Sequence, residues 1–218
     1  TTNVALNIAL PGRTAPFLLA EVRARVDGIV QERRFTEGAD VRKGEPLYLI
    51  DPAPYRAAVK SAEAELQRAQ ATLASNASQL NRNRVLVKEN AVSKQEFETA
   101  EAAQLEAAAD VAAAKAALDV ARINLGYTTV TAPIAGRSSV SAVTQGAYVQ
   151  GSAATLMTTI QQIDPMYINF TQSASDALKL RGAMQSGQFK KASGKDAASV
   201  RIVLEDGSTY GQPGRLLF

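Results

Sequence analysis

The side chains that carry most covalent and metal chemistry are missing from this sequence. Its 218 residues include no cysteine and no histidine, which removes disulfides, thiol nucleophiles, imidazole bases and any Cys/His zinc site. What remains is thin. Asp51 and Asp164 stand in two copies of Ile-Asp-Pro, but nothing in their placement makes them an acid/base pair, and capping of a helix or turn accounts for both. Gly194-Lys195 resembles the end of a phosphate loop, yet Asp196 follows where Ser or Thr is required and no glycine lies five residues before Gly194. Asn76-Ala77-Ser78 and Asn169-Phe170-Thr171 fit the glycosylation acceptor pattern, a short pattern with many chance matches. No catalytic residue, no cofactor and no metal is expected.

Charge narrows the partners. Lys and Arg number 24 against 21 Asp and Glu, a net +3, and the basic residues occur only as short pairs such as Arg33-Arg34, Arg42-Lys43 and Lys190-Lys191. Nucleic-acid binding calls for a concentrated basic face with aromatics, so no nucleic-acid partner is expected. No apolar run approaches the roughly 20 residues of a membrane span and no signal peptide opens the chain. The first residues already alternate like a strand, so an N-terminal leader or anchor is expected to have been removed.

The element that must position any binding site is a long antiparallel helical hairpin over residues 54–125. Val59, Leu66, Leu73, Leu80 and Val87 recur every seven positions on its first arm, and Phe97, Gln104, Val111, Leu118 and Leu125 do so on the second. A strict seven-residue repeat marks helices supercoiled along a seam. Antiparallel arms pair residues whose numbers have a constant sum, and Val87 with Phe97, Leu80 with Gln104, Leu73 with Val111, Leu66 with Leu118 and Val59 with Leu125 satisfy that condition. Smaller layers alternate with these, pairing Ala62 with Ala121, Ala69 with Ala114, Asn76 with Ala107 and Asn83 with Ala100. Asp51-Pro52 is read as an N-cap and a proline at the first helical position of the first arm, Ser93 with Glu96 as a capping box for the second, and Gly126 as its C-cap. At about 1.5 Å per residue the hairpin is on the order of 50 Å long.

Around the hairpin the sequence repeats itself. Val22 lies six residues before Gly28, and Val130 six before Gly136; Gly38 and Gly146 each follow ten later, and Val41 and Val149 three later again. Both halves then reach Ile-Asp-Pro. Such coincident offsets predict an internal duplication, with the glycines at tight turns and the valines facing inward. Residues 4–10 alternate as a strand ended by Pro11-Gly12. Beyond the second half, 166–171 read as a strand, 173–184 as a short capped helix, and Val200, Ile202 and Leu204 as a strand before an Asp206-Gly207 turn.

Val-x-Gly-x-Val followed by Glu37-Gly38-Ala39-Asp40-Val41-Arg42-Lys43-Gly44-Glu45-Pro46-Leu47 resembles the biotinyl/lipoyl carrier fold. The lysine that such carriers modify would fall on Pro54, and the helical hairpin occupies that place instead. A lipoyl-like module split by a long hairpin is similar to the periplasmic adaptors, or membrane fusion proteins, of RND-type tripartite multidrug efflux pumps. Leu10-Pro11-Gly12-Arg13-Thr14, Ala20-Glu21-Val22-Arg23, Leu47-Tyr48-Leu49-Ile50-Asp51-Pro52, Ala121-Arg122-Ile123-Asn124-Leu125 and Gln161-Gln162-Ile163-Asp164-Pro165 carry the likeness. The resemblance implies an elongated, multi-domain fold of mixed α and β: residues 20–53 and 126–165 as lipoyl-like halves, 54–125 as a coiled-coil hairpin, and 1–19 with 166–218 as an incomplete β-barrel domain.

It also implies a non-enzymatic role and a set of partners. These are an inner-membrane RND transporter, an outer-membrane channel protein and further copies of the chain, as a trimer or hexamer. The place would be the periplasm of a Gram-negative bacterium, with an inner-membrane anchor at an N-terminal segment absent here. Adaptors of this kind engage the channel through an arginine, leucine and serine at the hairpin tip, and Arg82, Leu86 and Ser93 match those offsets. Each has a plainer explanation: Ser93 as a cap, Leu86 as a widening of the seam beside Val87, Arg82 as a solvated charge beside Arg84. Two other readings stay open, an adaptor of an ABC-driven secretion or efflux system and a carrier domain with a helical insertion.

Overall fold

The computed structural model describes residues 10–89, 91–171 and 199–215. The heptad stretch forms two helices, α1 (Ala53–Lys88) and α2 (Lys94–Tyr127), which run antiparallel and touch along their length. Near the base, Arg122 of α2 pairs with Glu63 of α1 at 2.9 Å; farther out, Asn76 Nδ2 donates to the Ala103 carbonyl at 3.0 Å. Leu80, Asn83, Ala100, Ala107, Ala114 and Leu118 are buried. Val59, Leu66, Leu73, Val87, Phe97, Gln104, Val111 and Leu125 are half-buried, as are Ala62, Ala69, Asn76 and Ala121.

The helix ends differ from the sequence expectation in two places. Pro52 is the N-cap of α1 and offers no side-chain cap; Asp51, one residue earlier, accepts the Ala53 N–H at 3.0 Å. Gly126 lies inside α2, which ends at Tyr127 with Thr128 as its C-cap. The Thr128 hydroxyl donates to the Leu125 carbonyl at 2.7 Å, occupying one of the last free carbonyls, so no left-handed glycine is needed.

The chain divides into two compact units, Pro16–Met166 and a second made of Thr1–Ala15 with Tyr167–Phe218. The strands make two four-stranded sheets. One has the order β1 (Gly12–Arg23), β8 (Leu156–Phe170), β6 (Gly136–Ser138), β3 (Asp40–Val41); the other has β5 (Thr129–Thr131), β4 (Pro46–Ile50), β2 (Gly28–Arg33), β7 (Tyr148–Val149). Both sheets feed one core, in which Val30, Leu47, Tyr48, Ile50, Val149, Met157 and Ile160 have no exposed surface. Tyr48 keeps its polar end satisfied there, with its hydroxyl 2.5 Å from Ser141 Oγ and donating to the Met157 carbonyl at 3.0 Å. Burial pushes its pKa up, against the smaller opposing effect of the Ser141 hydrogen bond.

The two half-motifs have the same backbone. Gly28 and Gly136 share φ values of 156° and 159°, Gly38 and Gly146 share 76° and 86°, and their partners correspond. Val30 N–H donates to the Ala147 carbonyl and the Val30 carbonyl accepts the Gly146 N–H, while Ser138 N–H donates to the Ala39 carbonyl and the Ser138 carbonyl accepts the Gly38 N–H. Gly28 pairs with Val149 across β2 and β7 as Gly136 pairs with Val41 across β6 and β3. Space is also tight at Gly136, where a Cβ would stand 2.5 Å from the Gln161 carbonyl oxygen. Val22, Val41, Val130 and Val149 are all buried.

The smaller unit is described only in part. Ser199–Val200 (β9) pairs antiparallel with Gly214–Arg215 (β10), and a turn at Asp206-Gly207 lets Val203 bridge to Thr209. The Ser208 hydroxyl and N–H both donate to Asp206 and hold its carboxyl below the usual range. The helix expected at 173–184 and the strand residues 4–9 lie outside the described residues, and β1 begins at Gly12, directly after the proline read as a strand end.

Candidate partner interface at the helix tips

The turn between α1 and α2 is built by its caps. Glu89 N–H bonds back to the Leu86 and Val87 carbonyls as α1 ends, and Ala91 N–H reaches Leu86 at 2.9 Å. Ser93 then starts α2 with both arms of a capping box: its hydroxyl accepts the Glu96 N–H at 3.1 Å, and its own N–H donates to the Glu96 carboxylate at 2.8 Å. The Ser93 side chain therefore has a structural task and is exposed as well.

Arg82 and Leu86 stand one helical turn apart and share a face of α1. Leu86 is 37% exposed, and Arg82 donates to Gln79 Oε1 at 2.6 Å. Gln79 in turn donates to Asn83 Oδ1 at 3.4 Å, and Asn83 is buried against α2. Val85, 58% exposed, belongs to the same outward surface and was not singled out in the sequence. Its signal was available, because it sits on the far side of α1 from the seven-residue stripe. The tip thus offers a cation, two exposed apolar side chains and a hydroxyl. It has the makings of a docking surface, and among the described residues no cluster of acidic side chains is placed to hold a metal.

Both the β module and the helices have counterparts among known proteins. The family model described as "RND MFP, barrel-sandwich hybrid domain" matches residues 19–161, and "RND MFPs, beta-barrel domain" matches residues 165–218. The multidrug resistance protein MexA of Pseudomonas aeruginosa is 49% identical over 215 residues, covering 99% of this chain and 52% of that protein. The antibiotic efflux pump periplasmic linker protein ArpA of Pseudomonas putida is 47% identical over 213 residues, covering 98% of this chain and 52% of its own. Among solved structures, a MacA–MexA chimera containing the Pseudomonas aeruginosa MexA alpha-hairpin domain superimposes with a TM-score of 0.55 at 31% identity, over 94% of this chain and 64% of that one. The chain spans 52% of the length of either relative.

Proposed function

This chain belongs to the RND membrane fusion protein family, and from that premise we propose that it is the periplasmic adaptor of a tripartite multidrug efflux pump. It links an inner-membrane, proton-driven RND transporter to an outer-membrane channel and catalyses no reaction itself. One observation carries the reading: identity near one half to an efflux pump linker and a multidrug resistance protein, over almost the whole chain. The protein acts in the periplasm of a Gram-negative bacterium and is held to the inner membrane through an N-terminal segment.

In this reading residues 20–53 and 126–165 are the halves of a lipoyl-like module, 54–125 is an antiparallel coiled-coil hairpin, and 1–19 with 166–218 belong to the β-barrel domain. Gly28, Gly38, Gly136 and Gly146 are the turn residues of the module. Val59, Leu66, Leu73, Leu80 and Val87 face Leu125, Leu118, Val111, Gln104 and Phe97 along the seam; their half-buried or buried state supports that register. Arg82, Leu86 and Ser93 meet the channel. Self-association into a trimer or hexamer is supported by the outward sides of the helices. Ala57, Ala64, Ala71 and Val85 on α1, with Ala102, Ala109, Ala116 and Ile123 on α2, are exposed at positions opposite the seam, where an isolated hairpin would carry polar residues.

The lack of native cysteine in these residues makes the test direct. Ser93→Cys in the full-length protein, expressed in intact bacteria, is expected to crosslink to an outer-membrane channel, while Asn76→Cys in the seam is not. A folded, exported Ser93→Cys protein that captures no channel would remove the tip from the interface.

A further inference from the structure

Two aromatic residues at the root of the helices converge on one turn of the β module. Tyr55, in the first turn of α1, donates its hydroxyl to the Asp27 carbonyl at 2.7 Å. Tyr127, the last residue of α2, lies under the Arg25 guanidinium, 5.1 Å from the ring centroid, a cation–π distance. Val26 between them is buried in the core. The same turn is also held by the loop after β7, because Asp27 Oδ1 accepts the Gly151 N–H at 2.6 Å. Gly151 approaches so closely that a Cβ there would lie 2.6 Å from the Arg25 carbonyl. One short turn therefore touches α1, α2 and the loop after β7.

We propose that residues 25–27 are a yoke that fixes the direction in which the two helices leave the β module, with Arg25, Tyr55 and Tyr127 as its positioning residues. The covalent links alone leave that direction loose. α1 follows β4 through Asp51-Pro52 and α2 precedes β5 through Thr128, and these strands are paired neighbours, with Leu49 opposite Thr129. Two adjacent links define an axis about which the helix pair can tilt. A third attachment, from the turn between β1 and β2, removes that freedom. The leverage is large: a tilt of about 10° moves the end of a helix about 54 Å long by roughly 9 Å. That this direction aims the tip at a channel rests on the function proposed above; the yoke itself does not.

The test uses the full-length protein with nitroxide labels at Lys43→Cys in the β module and Ser75→Cys on α1, and pulsed electron resonance to read the distance distribution. Arg25→Met with Tyr55→Phe deletes the charge and the hydroxyl while keeping most of the volume. Label displacement at Ser75, about 33 Å up α1, should reach roughly 6 Å for a tilt of about 10°, so the distribution should shift or broaden on that scale. A second label pair, Ser75→Cys with Ala109→Cys across the two helices, should not change. An unaltered Lys43 to Ser75 distribution would overturn the proposal. So would equal broadening in the control pair, since the helices would then have loosened from each other rather than tilted together. No partner takes part in the measurement, so failure of the channel crosslink and failure of the yoke are separate results.

Discussion

The β module and the helix pair bury their apolar residues in different ways. The module encloses Leu47, Tyr48, Ile50 and Met157 completely between two sheets, whereas the helices meet along a single stripe whose members are mostly half-buried. One region has an inside, and the other has only a seam. A two-helix hairpin can be lengthened without limit, but each added turn brings the same modest burial per residue, so its length adds reach without adding a core. The difference predicts that identical substitutions will have unequal effects in the two places.

The largest contrast comes from deleting the same three carbons. Leu47→Ala in the module should cost about 3–5 kcal/mol, and Leu118→Ala in the seam about 2–3 kcal/mol, because the helices can close over part of the space. Denaturant unfolding of the two variants measures both losses; equal values would erase the distinction between core and seam. Tyr48→Phe is the next step down, at about 1 kcal/mol for the lost hydroxyl bonds. It also changes the alkaline limb. Burial keeps the Tyr48 proton on in the folded protein after the unfolded chain has lost it, so stability is intact below about pH 10 and falls as pH rises beyond it. The Phe variant should show a shallower alkaline decline, and an identical slope would show that Tyr48 is not its source. Ser93→Ala should cost about 1 kcal/mol, confined to the start of α2, with faster hydrogen exchange at the Glu96 amide as its signature. Smallest is Arg122→Ala, which removes an exposed pair with Glu63 worth about 0.5 kcal/mol or less. An effect above that range, surviving in high salt, would make the base of the hairpin stiffer than its exposure suggests.

Local spacing made much of this arrangement legible. The seven-residue stripe and the Ser93 to Glu96 box arise from short-range pattern, and the same pattern is visible as burial and as cap hydrogen bonds. The repeated Val and Gly offsets were also readable, because each glycine answers a backbone requirement that few other residues meet. Identical tripeptides part company where their neighbours differ, as the strand read at 166–171 already implied. Ile50-Asp51-Pro52 ends β4, yet the identical Ile163-Asp164-Pro165 lies within β8, which continues to Phe170. The tripeptide alone does not decide the outcome. The next residues do, since Met166-Tyr167-Ile168-Asn169-Phe170 favours an extended chain where Ala53-Pro54-Tyr55 opens a helix. Gly126 misled for a similar reason, since the Thr128 hydroxyl took the role a glycine was expected to fill. At the tip, Arg82 and Leu86 are proposed as partner contacts through family likeness alone, because an exposed cation and an exposed leucine carry no local signature. The Arg25, Tyr55 and Tyr127 contacts join residues far apart in sequence, and no periodicity announces them.

The pairing of Leu49 with Thr129 places the two ends of the hairpin side by side on adjacent strands. To the β module, everything between them is a closed excursion that starts and finishes at the same spot. Whole heptads can then be added or withdrawn in matched numbers from both arms without moving a single strand. The hairpin is in that sense an interchangeable part, and its length can be changed independently of the body that carries it.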